Sequence, residues 1–181
     1  METGANITTQ GAIELLSRAR ACQSEFYALQ LAVEDIERRI KNAEQMIAYP
    51  QMVISNGSYN HYFSELRNYT NDKYTKLIQQ SECFEKMIYY STEATLTALV
   101  NLQDALIFKG QFDIVLIDSI LSSVTSFLFT LNSNPKTVKV VNDLRLSAQV
   151  RFYTYDIRNK LQSHQGLVLN GFSSFSGLIG F

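Results

Sequence analysis

The chain has little of what most enzymatic sites require. Two histidines and two cysteines are too few for the usual His/Cys metal sites. Neither histidine, His61 nor His164, follows a glutamate at the spacing of a di-iron bundle. No Walker-type or dinucleotide-type glycine loop is present, so no nucleotide phosphate is cradled by a known route. Glu82 and Glu85 stand one turn apart beside Lys86 and read as a solvated helix face. These absences predict a protein that is not an enzyme, with no cofactor, no metal and no small-molecule substrate. Two prolines, eight glycines and no tryptophan among 181 residues leave few helix breakers. A net charge of −1 lacks the basic excess that general nucleic-acid binding requires. Tyr59, Tyr62, Tyr69, Tyr74, Tyr89 and Tyr90 could stack bases, but Glu65, Asp72, Glu82 and Glu85 on the same stretch repel a phosphate backbone.

The stretch from Met1 to Gly11 lacks the basic start and apolar core of a secretory signal. The expected location is therefore cytoplasmic, or within a virion or envelope complex. The sequons at Asn6, Asn56 and Asn68 carry no weight without export. One segment, Ile114 to Leu131, is apolar enough to suggest a membrane span. It contains Asp118 and six Ser or Thr residues, so a buried bundle helix is the preferred reading.

What is present is helical periodicity. Apolar residues recur in steps of three and four at Ala12, Leu15, Ala19, Cys22, Phe26, Leu29, Val33, Ile36, Ile40, Ala43 and Ile47. That heptad seam predicts one long helix, capped by Thr8 or Thr9 and ended by Pro50. At roughly 1.5 Å per residue it is about 60 Å long. Ser55-Asn56-Gly57 marks a loop. A second long pattern runs through Tyr59, Phe63, Leu66, Tyr74, Leu77, Phe84, Ile88, Ala98, Leu102 and Leu106 to Gly110, with Thr70, Ser81, Ser91 and Thr95 at core-facing steps. A third helix, Phe112 to Leu131, is apolar on nearly every side and should be buried. A fourth runs from Pro135 to about Ser163 with two apolar stripes, Val141-Leu144-Ala148-Phe152-Tyr155 and Leu146-Val150-Tyr153-Ile157-Leu161.

The expected fold is all-α. It is an elongated antiparallel bundle of about four helices over residues 1–165, followed by an uncharged Gly/Phe-rich tail at 166–181. In the tail, Leu167-Val168-Leu169, Asn170-Gly171 and Phe172 read as an extended segment or a small β-hairpin with a type I′ turn. A hairpin of the first two helices would place Cys22 opposite residue 84, beside Cys83. A disulfide is conceivable there, but two buried reduced thiols suit a reducing compartment better.

Two surface features suggest function. The fourth helix carries Lys136, Lys139, Arg145, Arg151, Arg158 and Lys160 against only Asp143 and Asp156. The first five form a candidate basic strip for an acidic partner, with pairing to neighbouring acids the preferred alternative. The tail offers Leu167, Leu169, Phe172, Phe175, Leu178, Ile179 and Phe181, which could dock on a partner or neighbouring subunit, enter a membrane, or fold back on the bundle. The leading expectation is a structural or assembly subunit of a multi-subunit complex, such as a virion component or a secretion or envelope machine, acting as a homo-oligomer or within a larger assembly. Its first rival is a membrane-active pore former or ejection factor that inserts helix 112–131 and the tail. The second is a helical adaptor or sensor holding a ligand among Ser81, Ser91 and Thr95.

Overall fold

The computed structural model describes residues 4–49, 59–108 and 110–181, with the side chains of 4–8 and 59 excepted. The Pro50 stop, the Ser55-Asn56-Gly57 loop and the side chains of Asn6, Thr8 and Tyr59 lie outside the described residues. Among those described there are six helices and no strand. They are α1 (Gly4–Ala48), α2 (Tyr59–Ile107), α3 (Ile114–Asn132), α4 (Val138–Leu146), α5 (Ala148–Leu161) and α6 (Asn170–Leu178). The fold is all-α, as the periodicity predicts. The chain forms two compact units, residues 22–85 and residues 1–21 with 86–181.

The unit of residues 22–85 pairs α1 with α2. The Phe26 and Phe84 rings lie 5.8 Å apart, and Lys73 Nζ stands 3.3 Å from Glu37 Oε1. Position on α2 thus falls as position on α1 rises, which makes the pair antiparallel. On α1 the predicted seam is found: Cys22, Phe26, Val33, Ile36 and Ala43 are buried, and Leu29, Ile40 and Ile47 are half-buried.

On α2 the inner face differs from the predicted one. Phe63, Tyr74 and Leu77 are exposed, and the positions turned inward are Tyr62, Leu66, Tyr69, Lys73, Lys76, Gln80 and Cys83. The two stripes share Leu66 and otherwise lie one residue apart, both advancing in steps of three and four. The more polar one can face α1 because long lysine stems cover apolar surface while their ammonium groups reach the edge, as Lys73 does to meet Glu37. Cys22 and Cys83 are both buried thiols.

One turn further along sits a buried amide layer. Gln80 is only 7 % exposed. Its Nε2 and the Oε1 of Gln30 are buried without a hydrogen-bond partner among the described residues. An unsatisfied buried amide costs stability, and such a polar layer fixes register at that expense. Gln80→Leu is therefore expected to raise stability by about 1 kcal/mol, read as a higher Tm.

The second unit has its core between α3, α6 and the remaining parts of α1 and α2. Small residues Ala12, Ala19, Ala94, Ala98 and Ala105 are buried beside Met87, Leu99 and Leu102. From α3, Ile117, Ile120, Leu121, Val124, Phe127, Leu128 and Leu131 are buried. Its opposite face, with Val115, Ser119, Ser122, Ser126 and Phe129, is exposed, so α3 is amphipathic rather than buried on every side. Asp113 caps α3 by accepting the Leu116 N–H at 3.1 Å.

The single helix expected from Pro135 to Ser163 is two helices. Pro135 lies in the turn before α4. Ser147, with ψ of 121°, ends α4, and its Oγ accepts the Val150 N–H at the start of α5. A serine side chain that competes for backbone donors favours such a cap over a continuous helix.

Candidate functional site

The C-terminal segment is a helix, which corrects the hairpin expectation. Asn170-Gly171 begins α6 instead of making a hairpin turn. No side chain of α6 caps its own start. The cap comes from Asp118 on α3, whose carboxylate accepts the Gly171 N–H at 3.1 Å and the Phe172 N–H at 2.9 Å. The opposite end is held by Arg145 of α4, whose Nε donates to the Leu178 carbonyl at 2.8 Å. An anion at the N-terminus and a cation at the C-terminus both oppose the helix dipole favourably.

The chain after α6 closes with a Schellman arrangement around Gly180 at φ +84°. There Gly180 N–H donates to the Gly177 carbonyl and Phe181 N–H to the Ser176 carbonyl. Gly171 permits the close approach to α3. A Cβ there would stand 2.2 Å from the Asp118 carbonyl oxygen and 2.9 Å from the Ser122 nitrogen.

The tail residues expected to dock elsewhere are mostly packed into the chain's own structure. Leu169, Phe172, Phe175, Leu178 and Ile179 are buried, and Leu167 and Phe181 are half-buried. The exposed apolar peptide that suggested docking is thus largely covered. The basic strip is divided as well. Arg145 is committed to α6, and Arg151 lies over the Phe181 ring at 5.5 Å. Arg158 lines an open groove of about 480 Å³ with Leu161, Gln162, Phe172, Ser173, Ser176 and Phe181. Lys136 and Lys139 are exposed.

Asp156 sits within this basic region. Its carboxylate accepts from the Gln103 amide and from Lys160, at 2.9 Å for the lysine. The Gln103 hydrogen bond, then that of Lys160, holds its pKa below the ordinary carboxylate value. A depressed carboxylate contributes stability above its unfolded pKa, and that contribution is lost as pH falls through the folded value. The stability advantage of the native chain over Asp156→Asn is therefore expected at pH 7 and should vanish as the pH falls through the depressed Asp156 pKa, in thermal unfolding across an acidic pH series.

The ligand-holding alternative rests on Ser81, Ser91 and Thr95. Ser81 is exposed, whereas Ser91 and Thr95 are buried. Thr95 Oγ1 donates to the Ser91 carbonyl at 2.8 Å, a bond to the preceding turn of its own helix. Among the described residues no group of three or more His, Cys, Asp or Glu could hold a metal ion.

A different surface emerges on α2 within residues 22–85. Tyr74, Leu77 and Ile78 are 68 %, 41 % and 47 % exposed. At spacings of three and four residues they share one exposed helical face. The periodicity of the sequence assigns Tyr74 and Leu77 to the inner seam and leaves Ile78 outside it. Which stripe faces α1 depends on the partner helix, and composition favours the wrong one. No protein-family model, curated protein or solved structure matches this chain.

Proposed function

We propose that this chain is a non-enzymatic assembly subunit that joins other protein through the outward face of α2, while α6 acts as an internal clamp. The observation that carries this reading is the exposure of Tyr74, Leu77 and Ile78 alongside the inward turn of Lys73, Lys76 and Gln80. A helix that keeps an apolar stripe outside its contact with α1, the helix paired with it among the described residues of this unit, has a second protein surface to meet. A virion component or a part of a secretion or envelope machine fits such a role, with the protein cytoplasmic or incorporated in that assembly. A photo-crosslinking residue at position 74, introduced where the protein is naturally made, should yield an adduct to a second polypeptide. The same residue at the exposed position 168 should give little. Equal or absent adducts at both positions would contradict the proposal.

One observation favours membrane activity as a second reading. Helix α3 is 19 residues long with a mean hydropathy of 1.9, enough by length and composition to cross a bilayer. Insertion would have to withdraw Asp118 from the start of α6 and expose the side chains now packed against α3. The assembly reading requires no such rearrangement and is preferred. Absence of liposome leakage across pH and lipid charge would remove the membrane reading.

A further inference from the structure

We propose that the occupant of the α2 face is a second copy of this chain, docked with its own α2 antiparallel about a two-fold axis near residue 76. The inference rests on the reading of this face as a docking surface and adds the partner's identity and orientation. It follows from charge complementarity along the helix. Arg67 lies seven residues before Tyr74, and Glu85 lies seven residues after Ile78. Seven residues make two turns, so each charge stays on the face of its apolar neighbour. Both charged residues are exposed, and neither makes an ion pair among the described residues. Asn71 and Ser81, exposed and uncharged, occupy the intervening positions of the same face.

Read backwards, this face is its own complement. Setting Tyr74 against Ile78 of the second copy brings Asn71 opposite Ser81 and Arg67 opposite Glu85, at both ends of the contact. Leu77 of each copy falls near the axis and closes the apolar centre. A parallel pairing would instead set Arg67 against Arg67 and Glu85 against Glu85, so repulsion selects the antiparallel form. The same surface on both copies is the isologous arrangement a two-fold dimer needs.

Sedimentation velocity of the full chain over a concentration series tests this directly. The native chain should pass from monomer to dimer as concentration rises. Leu77→Glu should remain monomeric throughout with unchanged helical circular dichroism, because residue 77 already touches solvent. Arg67→Glu and Glu85→Arg should each weaken the dimer by about tenfold or more, since each replaces two attractive contacts by two repulsive ones. The double variant should recover to within about threefold of the native chain. Recovery distinguishes direct pairing from general surface effects. A chain that stays monomeric at all concentrations would overturn the proposal, as would a dimer insensitive to Leu77→Glu or a double variant weaker than either single one. A monomer that still crosslinks from position 74 to a different polypeptide overturns the second-copy inference and leaves the docking reading standing. No crosslink there removes both.

Discussion

Gly171→Ala is expected to destabilise the protein by about 3 kcal/mol and to loosen α6 from α3. The added methyl would meet the Asp118 carbonyl oxygen at 2.2 Å and the Ser122 nitrogen at 2.9 Å. Both are backbone atoms of α3, so no side chain can rotate aside. The helix must retreat, and retreat lengthens the two hydrogen bonds by which Asp118 caps it. Urea unfolding would report the loss, and increased binding of a hydrophobic dye would report the exposed aromatic rings. Gly177→Ala is the matched control. It lies on the same helix, but a Cβ there meets nothing within 4 Å. Alanine's higher helix propensity should make that variant neutral or slightly more stable. Equal losses at the two positions would mean that the helix itself, rather than its approach to α3, is the sensitive element.

Phe175→Ala should have the largest effect, about 3–5 kcal/mol. Phe175 is fully buried and belongs to the apolar side of α6, with Phe172 and Leu178 on the same side. Truncation removes the ring from its packed site and leaves a cavity beneath a helix of only nine residues. Such a helix has little stability of its own and depends on tertiary packing. For a chain of this size the loss corresponds to a fall in Tm of roughly 10 °C or more. Val168→Ala, close in sequence but exposed, should change Tm by little. A Phe175→Ala variant that melts with the native chain would show that α6 is not part of the cooperative core.

The features that could be read from sequence were those fixed within a single helix. The α1 seam from Ala12 to Ala43 was legible because each apolar residue predicts the next by periodicity alone. The α2 interface was less legible because it carries two heptad-spaced stripes. Lys73, Lys76 and Gln80 look like surface residues, yet aliphatic stems and a buried amide turn towards α1. The tail failed for a related reason. Asn170-Gly171 carries a local turn signal, whereas the groups that settle its structure are Asp118, more than fifty residues away in sequence, and Arg145. In sequence, Asp118 is a lone charge within an apolar helix. Its carboxylate is the cap that α6 does not provide for itself.

This division also moves the candidate interaction surface. In the sequence the uncharged tail supplies apolar residues without charges among them. Packing of α6 largely covers that supply and leaves Tyr74, Leu77 and Ile78 as a contiguous exposed stripe in the other unit. Leu146, Phe152 and Tyr155 are also exposed on α4 and α5. They are flanked by Arg145 and Arg151, both already engaged with the C-terminal segment.

Hydroxyl-radical footprinting of the full chain, read residue by residue at low and high protein concentration, tests this account most directly. Phe172 and Phe175 should react slowly at both concentrations. Tyr74, Leu77 and Ile78 should react rapidly when dilute and become protected as the chain associates. Rapid oxidation of Phe175 together with protection of Tyr74, Leu77 and Ile78 at every concentration would contradict it, because the mobile apolar surface would then be the tail and the buried one α2.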